Sequence, residues 1–147
     1  MMIDKKIIGY TTGVFDMFHI GHLNILKQAK KNCDYLIVGV SSDELVKSYK
    51  NKEPIISFDD RIKIIEAIKY VDEVVPQKNR NKIEAQKKYK FDIMFVGDDW
   101  KGSELFDEIE SSFKKDGIKI QYFEYTKNIS SSKLKLVLEK IFKDDYL

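Results

Sequence analysis

The sequence predicts a Rossmann-like α/β fold, in which a doubly wound parallel sheet of five strands carries helices on both faces. Five apolar runs of strand length lie at residues 7–10, 35–40, 73–75, 93–96 and 118–123. The stretches between them are longer and have helical periodicity, and this alternation favours parallel pairing. No repeat, low-complexity tract or Pro/Gly-rich linker interrupts the pattern. We therefore expect one domain over residues 1–147.

The composition is that of a globular protein whose main partner is neither nucleic acid nor a membrane. Hydrophobic residues make up 43% and charged residues 34% of the chain, and 26 Lys and Arg are interspersed with 24 Asp and Glu. A nucleic-acid-binding surface needs a larger basic excess than this net charge of +2. No segment has the length of a signal peptide or a membrane span, and the single cysteine, Cys33, cannot form an internal disulfide. We expect a cytoplasmic protein.

The first strand leads into a loop that holds the only two histidines of the chain, His19 and His22, with Gly21 between them. A helix is predicted to follow, because apolar residues recur with helical spacing from Leu23 onward. Unpaired amides and the positive end of the dipole make such a helix start an anion site. The pair alone also fits solvated residues, or two metal ligands without obvious partners. Its place beyond the first strand of an α/β sheet favours ligand binding.

Residues 41–57 are predicted to form a loop after the second strand. Apolar content falls there, and Lys47, Lys50 and Lys52 cluster before Pro54. Such a segment is often simply solvated. A basic loop at the carboxyl end of a strand is also well placed to fold over an anionic substrate.

Two further helices are predicted on either side of the third strand. Ser57 and Asp60 indicate a helix start with an acidic first turn, and Arg61 within it fits a surface residue. Residues 77–90 are helical in tendency and strongly basic, which is typical of a solvated helix face.

The fourth strand ends in Gly97, Asp98, Asp99 and Trp100. Adjacent carboxylates suggest metal ligation or general-base work, but an Asp at a strand end more often caps a helix or holds a loop. We expect both carboxylates to have structural and substrate-orienting roles. Trp100 suits the core and a pocket wall equally well.

A last helix is predicted after three consecutive serines, Ser130, Ser131 and Ser132. Its apolar stripe is formed by Leu134, Val137, Leu138 and Ile141. A serine before a helix is commonly an N-cap. Three in succession also present hydroxyls and free amides to an anion.

Several of these stretches together resemble the HxGH nucleotidyltransferase superfamily. The sequence GVFDMFHIGH resembles the signature of its cytidylyltransferase branch, and over most of the chain the resemblance is closest to bacterial glycerol-3-phosphate cytidylyltransferases. GDDW matches the same tetrapeptide of those enzymes. KYVDEV resembles their RYVDEV, with Lys69 in place of arginine. The serine run resembles their RTEGIST, with Tyr125 and Asn128 in place of the arginine and glycine, and also the ISSS of some adenylyltransferases.

The resemblance implies transfer of a cytidylyl group from CTP to a small phosphorylated alcohol. Glycerol 3-phosphate is the favoured acceptor, which gives CDP-glycerol for capsule or teichoic-acid-like polymers. Mg²⁺ would be bound with the triphosphate, and the relatives are commonly dimers. The sequence itself shows no long apolar surface helix that would indicate one. Phosphocholine or phosphoethanolamine as acceptor, an adenylyltransferase, and a non-catalytic nucleotide-binding module stay open as alternatives.

The resemblance also implies a role for each matching residue. The catalytic residues are His19 and His22, which bind α- and β-phosphate oxygens, and Lys50, which adds charge. The nucleotide site comprises Thr12, Gly13, Val14, Phe15, Asp16, Gly21, Gly97, Asp98, Tyr125, Ile129, Ser130, Ser131 and Ser132. The acceptor site comprises Lys52, Arg61, Lys69, Lys82 and Trp100. No residue is assigned as a metal ligand.

Overall fold

Five parallel strands form one sheet in the computed structural model, which describes residues 5–127 and 129–146 of the chain. The strands are β1 (Ile8–Gly13), β2 (Tyr35–Ser41), β3 (Glu73–Gln77), β4 (Ile93–Gly97) and β5 (Lys119–Phe123). Their spatial order is β3-β2-β1-β4-β5, and each neighbouring pair is parallel. The predicted five-stranded parallel sheet is confirmed, with strand ends shifted by at most three residues.

Helices cover both faces of the sheet, as predicted. They are α1 (Ile20–Lys31), α2 (Asp43–Lys50), α3 (Phe58–Glu66), α4 (Lys82–Tyr89), α5 (Glu104–Lys115) and α6 (Ser131–Tyr146). Successive side chains of β2 divide between two cores because a strand has a period of two. Val38 packs with Leu26 of α1 and Ile65 of α3, whereas Ile37 belongs to the core that contains Phe113 of α5.

The third strand is longer than its sequence suggests. Apolar residues end at Val75, but β3 continues through Pro76 to Gln77. Proline cannot donate to a ladder, and it is tolerated here because β3 lies at the edge of the sheet. This extension carries the Gln77 side chain to the same end of the sheet as the β1–α1 loop.

The prediction of a loop over residues 41–57 is wrong for its first half, which forms helix α2. Ser42 caps the helix by accepting a hydrogen bond from the Leu45 amide at 3.1 Å. Leu45 and Val46 are buried, and their burial stabilises a helix too short to persist alone. Asn51, with a φ of 54°, ends it in the left-handed conformation.

The last helix, α6, forms as predicted, but its apolar side chains are largely exposed. Val137, Leu138 and Ile141 retain between 47% and 52% of their accessible surface. The sequence indicates no long apolar surface helix, but in the structure α6 exposes part of its apolar stripe. Among the described residues, no helix combines the length and apolar character needed to cross a lipid bilayer.

Candidate active site at the carboxyl ends of the strands

The two histidines cap the start of α1 by reciprocal hydrogen bonds. The Nδ1 atom of His19 accepts from the Gly21 amide at 3.0 Å, and the Nδ1 atom of His22 accepts from the His19 amide at 3.2 Å. Their rings stack with centroids 3.9 Å apart. A neutral imidazole whose Nδ1 accepts must carry its proton on Nε2. The backbone therefore fixes both rings as Nε2–H donors.

Both imidazoles are held neutral. Burial lowers the pKa of His19. Burial and the neighbouring His19 ring lower the pKa of His22 to about 4, although the Asp16 carboxylate opposes this shift. The His19 Nε2 atom is buried and has no hydrogen-bond partner within residues 5–127 and 129–146. A buried donor without an acceptor is costly, so a ligand oxygen at this position would be stabilised.

Because Gly21 has no side chain, the His19 imidazole can lie close against the start of α1. A Cβ atom at this position would lie 2.8 Å from Cε1 of His19, and 3.6 Å from a methyl carbon of Ile129. In the preceding loop, Phe15 and Met17 have φ values of 56° and 48°. Such left-handed conformations cost roughly 1–3 kcal/mol each and persist at functional sites when surrounding contacts enforce them.

Asp16 provides those contacts from the middle of the loop. Its buried carboxylate accepts from the amides of Ile55 and Ile56 at 2.8 and 2.9 Å, and pairs with Lys135 of α6 at 3.0 Å. Burial alone would raise the pKa of this carboxyl, but the two amides and the Lys135 ammonium together hold the pKa below its ordinary value. The carboxylate thus ties the histidine loop to α6 and to the segment before α3.

The start of α6 lies beside the start of α1. The Ser131 hydroxyl donates to the Asp16 carbonyl oxygen at 2.6 Å, and Asn24 of α1 donates to Thr126 at 3.0 Å. Ser130 acts as the N-cap of α6, because its Oγ atom accepts from the Lys133 amide at 3.0 Å. Two positive helix ends therefore converge on one region of space.

Arg61 is fully buried, and its guanidinium is occupied by protein acceptors. It donates to the carbonyls of Val14 and Ser41, each at 2.7 Å, to the Ile56 carbonyl at 2.9 Å, and to the Asp43 carboxylate at 2.5 Å. These acceptors belong to the β1–α1 loop, the end of β2, the segment before α3, and α2. Arg61 therefore joins the elements around the site, and this geometry favours positioning over substrate contact.

A cavity of about 490 Å³ opens at the carboxyl ends of β1 to β4, whose last residues all line it. The predicted site residues that line this cavity are Thr12, Gly13, Val14, Phe15, Asp16, His22, Lys50, Lys82, Gly97, Trp100, Tyr125, Ser131 and Ser132. Its position agrees with the rule that open α/β sheets bind ligands beyond their strand ends.

Other predicted site residues are not part of the cavity wall. They are His19, Gly21, Lys52, Arg61, Lys69, Asp98, Ile129 and Ser130. His19, Gly21, Ile129 and Ser130 nevertheless lie at the two adjoining helix starts. Lys52, Lys69 and Asp98 are exposed, and the Lys69 ammonium lies 5.3 Å from the Tyr70 ring. Asn128 lies outside the described residues.

Sequence reasoning missed several residues that line the cavity, most notably Arg80 and Lys135. Arg80 lies in the basic segment assigned to a solvated helix face. Its guanidinium carbon is 4.6 Å from the ring centroid of Tyr49 and 5.2 Å from that of Trp100. The one sequence feature that could have indicated Arg80 is a basic residue close to the end of a strand.

Lys82 extends into the same part of the cavity. Its ammonium donates to the Thr12 hydroxyl at 2.8 Å and to the side-chain oxygen of Gln77. Burial, together with the positive charge of Arg80, lowers the pKa of Lys82 to about 7. Two cationic side chains therefore meet at the ends of β1 and β3.

The opposite wall is formed by Tyr125 and the end of β4. The Tyr125 hydroxyl donates to Asp99 at 2.9 Å, and burial together with this bond raises the pKa of the phenol. A Cβ atom on Gly97 would lie within 2.4 Å of two Tyr125 atoms, so only glycine permits this contact. The aromatic ring lies where the resembling family carries an arginine.

The described residues contain no group of three or more His, Cys, Asp or Glu side chains placed to hold a metal ion. Asp16, the buried carboxylate of the cavity, is engaged by two amides and Lys135. The donor set therefore does not fit a resident metal site.

Comparison with known proteins gives matches over most of the chain. A family model described as "Cytidylyltransferase-like" matches residues 10–137. Glycerol-3-phosphate cytidylyltransferase from Bacillus subtilis (strain 168) is 40% identical over 136 residues, which cover 89% of this chain and 95% of that protein. FAD synthase from Thermococcus kodakarensis is 42% identical over 96 residues, which cover 65% of this chain and 64% of that protein.

A solved structure shows the same architecture. The lipopolysaccharide core biosynthesis protein from Thermoplasma volcanium GSS1 superimposes with a TM-score of 0.70 at 31% sequence identity. The match covers 85% of this chain and all of the other.

Proposed function

Because this chain belongs to the cytidylyltransferase-like family, we propose that it transfers the cytidylyl group of CTP to glycerol 3-phosphate, releasing pyrophosphate. The family membership confirms the resemblance inferred from GVFDMFHIGH and GDDW. The choice of acceptor is supported by the B. subtilis relative, which is matched over 95% of its length. CDP-glycerol is then the second product.

One observation carries the proposal: His22 and the serines Ser131 and Ser132 line one cavity although they lie at opposite ends of the chain. Each belongs to a helix start, where free amides and the helix dipole favour negative charge. A triphosphate placed between the two starts would meet donors on both sides. This arrangement supports polyphosphate binding over a merely structural role for the histidines.

We assign the two imidazoles to the α- and β-phosphate oxygens. Both Nδ1 atoms are engaged by backbone amides, so each ring offers Nε2–H to the ligand. Lys50 and Lys135 also lie in or beside the cavity and add positive charge where pyrophosphate leaves. Preorganised donors of this kind stabilise charge that develops in the transition state.

The reaction itself asks for little covalent chemistry from the protein. A phosphate oxygen of the acceptor attacks the α-phosphorus and forms the new P–O bond. The bond from the α-phosphorus to the bridging oxygen breaks, and pyrophosphate leaves with that electron pair. The protein therefore needs to align the two substrates and to stabilise the extra negative charge.

Mg²⁺ would be bound with the triphosphate. Phosphate oxygens are suitable ligands for it, and residues 5–127 and 129–146 contain no cluster of carboxylates placed to hold it. The ion would neutralise charge on the departing pyrophosphate. The protein contributes its imidazoles, ammonium groups and helix starts.

The acceptor is assigned to the end of the cavity that contains Lys82, at the ends of β1 and β3. Lys82 gives a sharp pH prediction because its pKa lies at about 7. The ammonium form binds the acceptor phosphate, and it is lost as the pH rises through this value. We expect kcat/KM for glycerol 3-phosphate to fall by about tenfold per pH unit above about pH 7.

Steady-state kinetics at saturating CTP would measure this fall in kcat/KM for glycerol 3-phosphate. The pH dependence of kcat/KM for CTP is the internal control. Arginine keeps its proton at all these pH values, so Lys82→Arg should flatten the alkaline limb of the acceptor profile. An unchanged limb in Lys82→Arg would assign the titration to another group.

The activity is tested by a matrix of nucleoside triphosphates against acceptors with pyrophosphate release as the readout. CTP, UTP, GTP and ATP would be combined with glycerol 3-phosphate, phosphocholine, phosphoethanolamine and flavin mononucleotide. We expect turnover with CTP and glycerol 3-phosphate. Release with ATP alone would overturn the cytidylyl assignment and favour the activity of the FAD synthase relatives. Binding without release would indicate a nucleotide-binding module.

Two further properties accompany the proposal. The exposed apolar side chains of α6 offer a surface on which a second copy would pack, which supports the expected homodimer. CTP is a cytoplasmic metabolite, so we propose a cytoplasmic enzyme that supplies CDP-glycerol for a cell-surface polymer.

A further inference from the structure

At the acceptor end of the cavity, the Arg80 guanidinium lies over two aromatic rings. The Arg80 carbon lies 4.6 Å from the ring centroid of Tyr49 and 5.2 Å from that of Trp100. Both separations are within the range of cation–π attraction. Tyr49, Arg80 and Trp100 come from α2, the loop before α4, and the turn after β4, so the fold assembles this arrangement from three separate elements.

Within the part of the chain that the structure describes, neither cation at this end has an acidic partner. Among the described residues, no salt bridge joins Arg80 or Lys82 to a carboxylate, and the Lys82 ammonium donates only to the neutral oxygens of Thr12 and Gln77. The Lys135 ammonium, by contrast, pairs with Asp16. Two unpaired positive charges in a partly buried pocket repel each other, so an anionic ligand would relieve the repulsion.

The position of Arg80 also decides what the aromatic rings can bind. Facing aromatic rings form cages for quaternary ammonium groups, because the π-faces attract cations. Here the Arg80 guanidinium already lies over the Tyr49 ring and over the Trp100 ring. A ligand ammonium therefore meets a positive charge at the two ring faces that would otherwise attract it.

We propose that Arg80 is a charge filter of the acceptor site, which admits phosphomonoesters of neutral alcohols and rejects those that carry an ammonium group. In phosphocholine and phosphoethanolamine two carbons separate the phosphate ester oxygen from nitrogen. A phosphate bound at Lys82 therefore places such a nitrogen in the cavity whose wall includes Arg80. This inference rests on the proposed function and selects among its acceptors.

Arg80→Met tests the filter, because methionine removes the charge and retains an unbranched apolar chain. Using CTP, kcat/KM would be measured for glycerol 3-phosphate and for phosphocholine. The wild type should prefer glycerol 3-phosphate by at least about 100-fold, and Arg80→Met should narrow this preference by about tenfold or more. KM for glycerol 3-phosphate should rise about tenfold, with KM for CTP changed less than about twofold.

Lys78→Met is the matched control, since it removes the same charge two positions away from an exposed side chain outside the cavity. It should leave the preference unchanged, and Arg80→Lys should restore part of it. An equal preference in wild type and Arg80→Met would overturn the filter. A fall in kcat that is the same for both acceptors would also overturn it, because it would indicate a structural role.

Calorimetric titration separates this inference from the proposed function. Should the wild type give no turnover with any triphosphate, the proposed function fails, and the filter is judged by binding of glycerol 3-phosphate and phosphocholine in the presence of CTP. Selective binding of glycerol 3-phosphate that Arg80→Met weakens and Lys78→Met preserves would support the filter. Absent or unselective binding by the wild type would overturn it.

Discussion

His22→Asn is expected to lower kcat for cytidylyl transfer by about 100- to 1,000-fold, the usual effect of removing one preorganised donor. Asparagine places its side-chain oxygen near the position of Nδ1, so it can still accept from the His19 amide and cap α1. It has no atom at the position of Nε2. The substitution therefore removes the donor that faces the cavity while it preserves the loop.

His22→Gln is the complementary control. Glutamine places an amide donor near the position of Nε2, so it should recover part of the lost rate. Rapid-quench measurement of a single turnover would isolate the chemical step from product release. The proposed role of His22 fails if His22→Asn loses less than about tenfold, or 1.4 kcal/mol, at saturating substrates.

Arg61→Met is expected to reduce the free energy of unfolding by about 3–5 kcal/mol, because each buried acceptor left without its donor costs about 1–3 kcal/mol. The substitution leaves the carbonyls of Val14, Ser41 and Ile56 without their hydrogen-bond donor. It also leaves the Asp43 carboxylate without its guanidinium partner. Arg61 is completely buried, whereas the Asp43 side chain retains 40% of its accessible surface, so the loss falls mainly on the three carbonyls.

Urea denaturation followed by circular dichroism would measure this loss. Lys63→Met on the same helix removes an equal charge from an exposed position, and its effect should stay within about 0.5 kcal/mol. A stable Arg61→Met protein with a selectively raised KM for the acceptor would contradict the positioning role. It would favour the direct substrate contact inferred from the family resemblance.

The fold was predictable from sequence because its periodicities are strong. Apolar runs such as residues 35–40 bury both faces, which is typical of a parallel strand covered by helices on both sides. The Ser57 cap and the serine run at 130–132 marked the starts of α3 and α6 correctly. Helix α2 was missed because its eight residues have mixed polarity, and its stability comes from burial of Leu45 and Val46.

The site was predictable only where its residues are adjacent in the chain. His19 and His22 lie at one helix start, so their spacing in the sequence predicts that their side chains lie close together. Arg80 is recognisable as a site residue only from its contacts with the Tyr49 and Trp100 rings. No local sequence pattern encodes a contact between three distant segments. For the same reason the sequence could not show that Arg61 is committed to protein acceptors.

The reciprocal caps at the start of α1 have a kinetic consequence. Free imidazole exchanges its hydrogen between two nitrogens, so a fraction of molecules in any population would present the wrong one to a ligand. Here the backbone amides bind both Nδ1 atoms, so the tautomer that donates from Nε2 is already the populated one before substrate binds. Substrate binding therefore does not wait for tautomer exchange, and the apparent affinity is not reduced by a sparsely populated competent state.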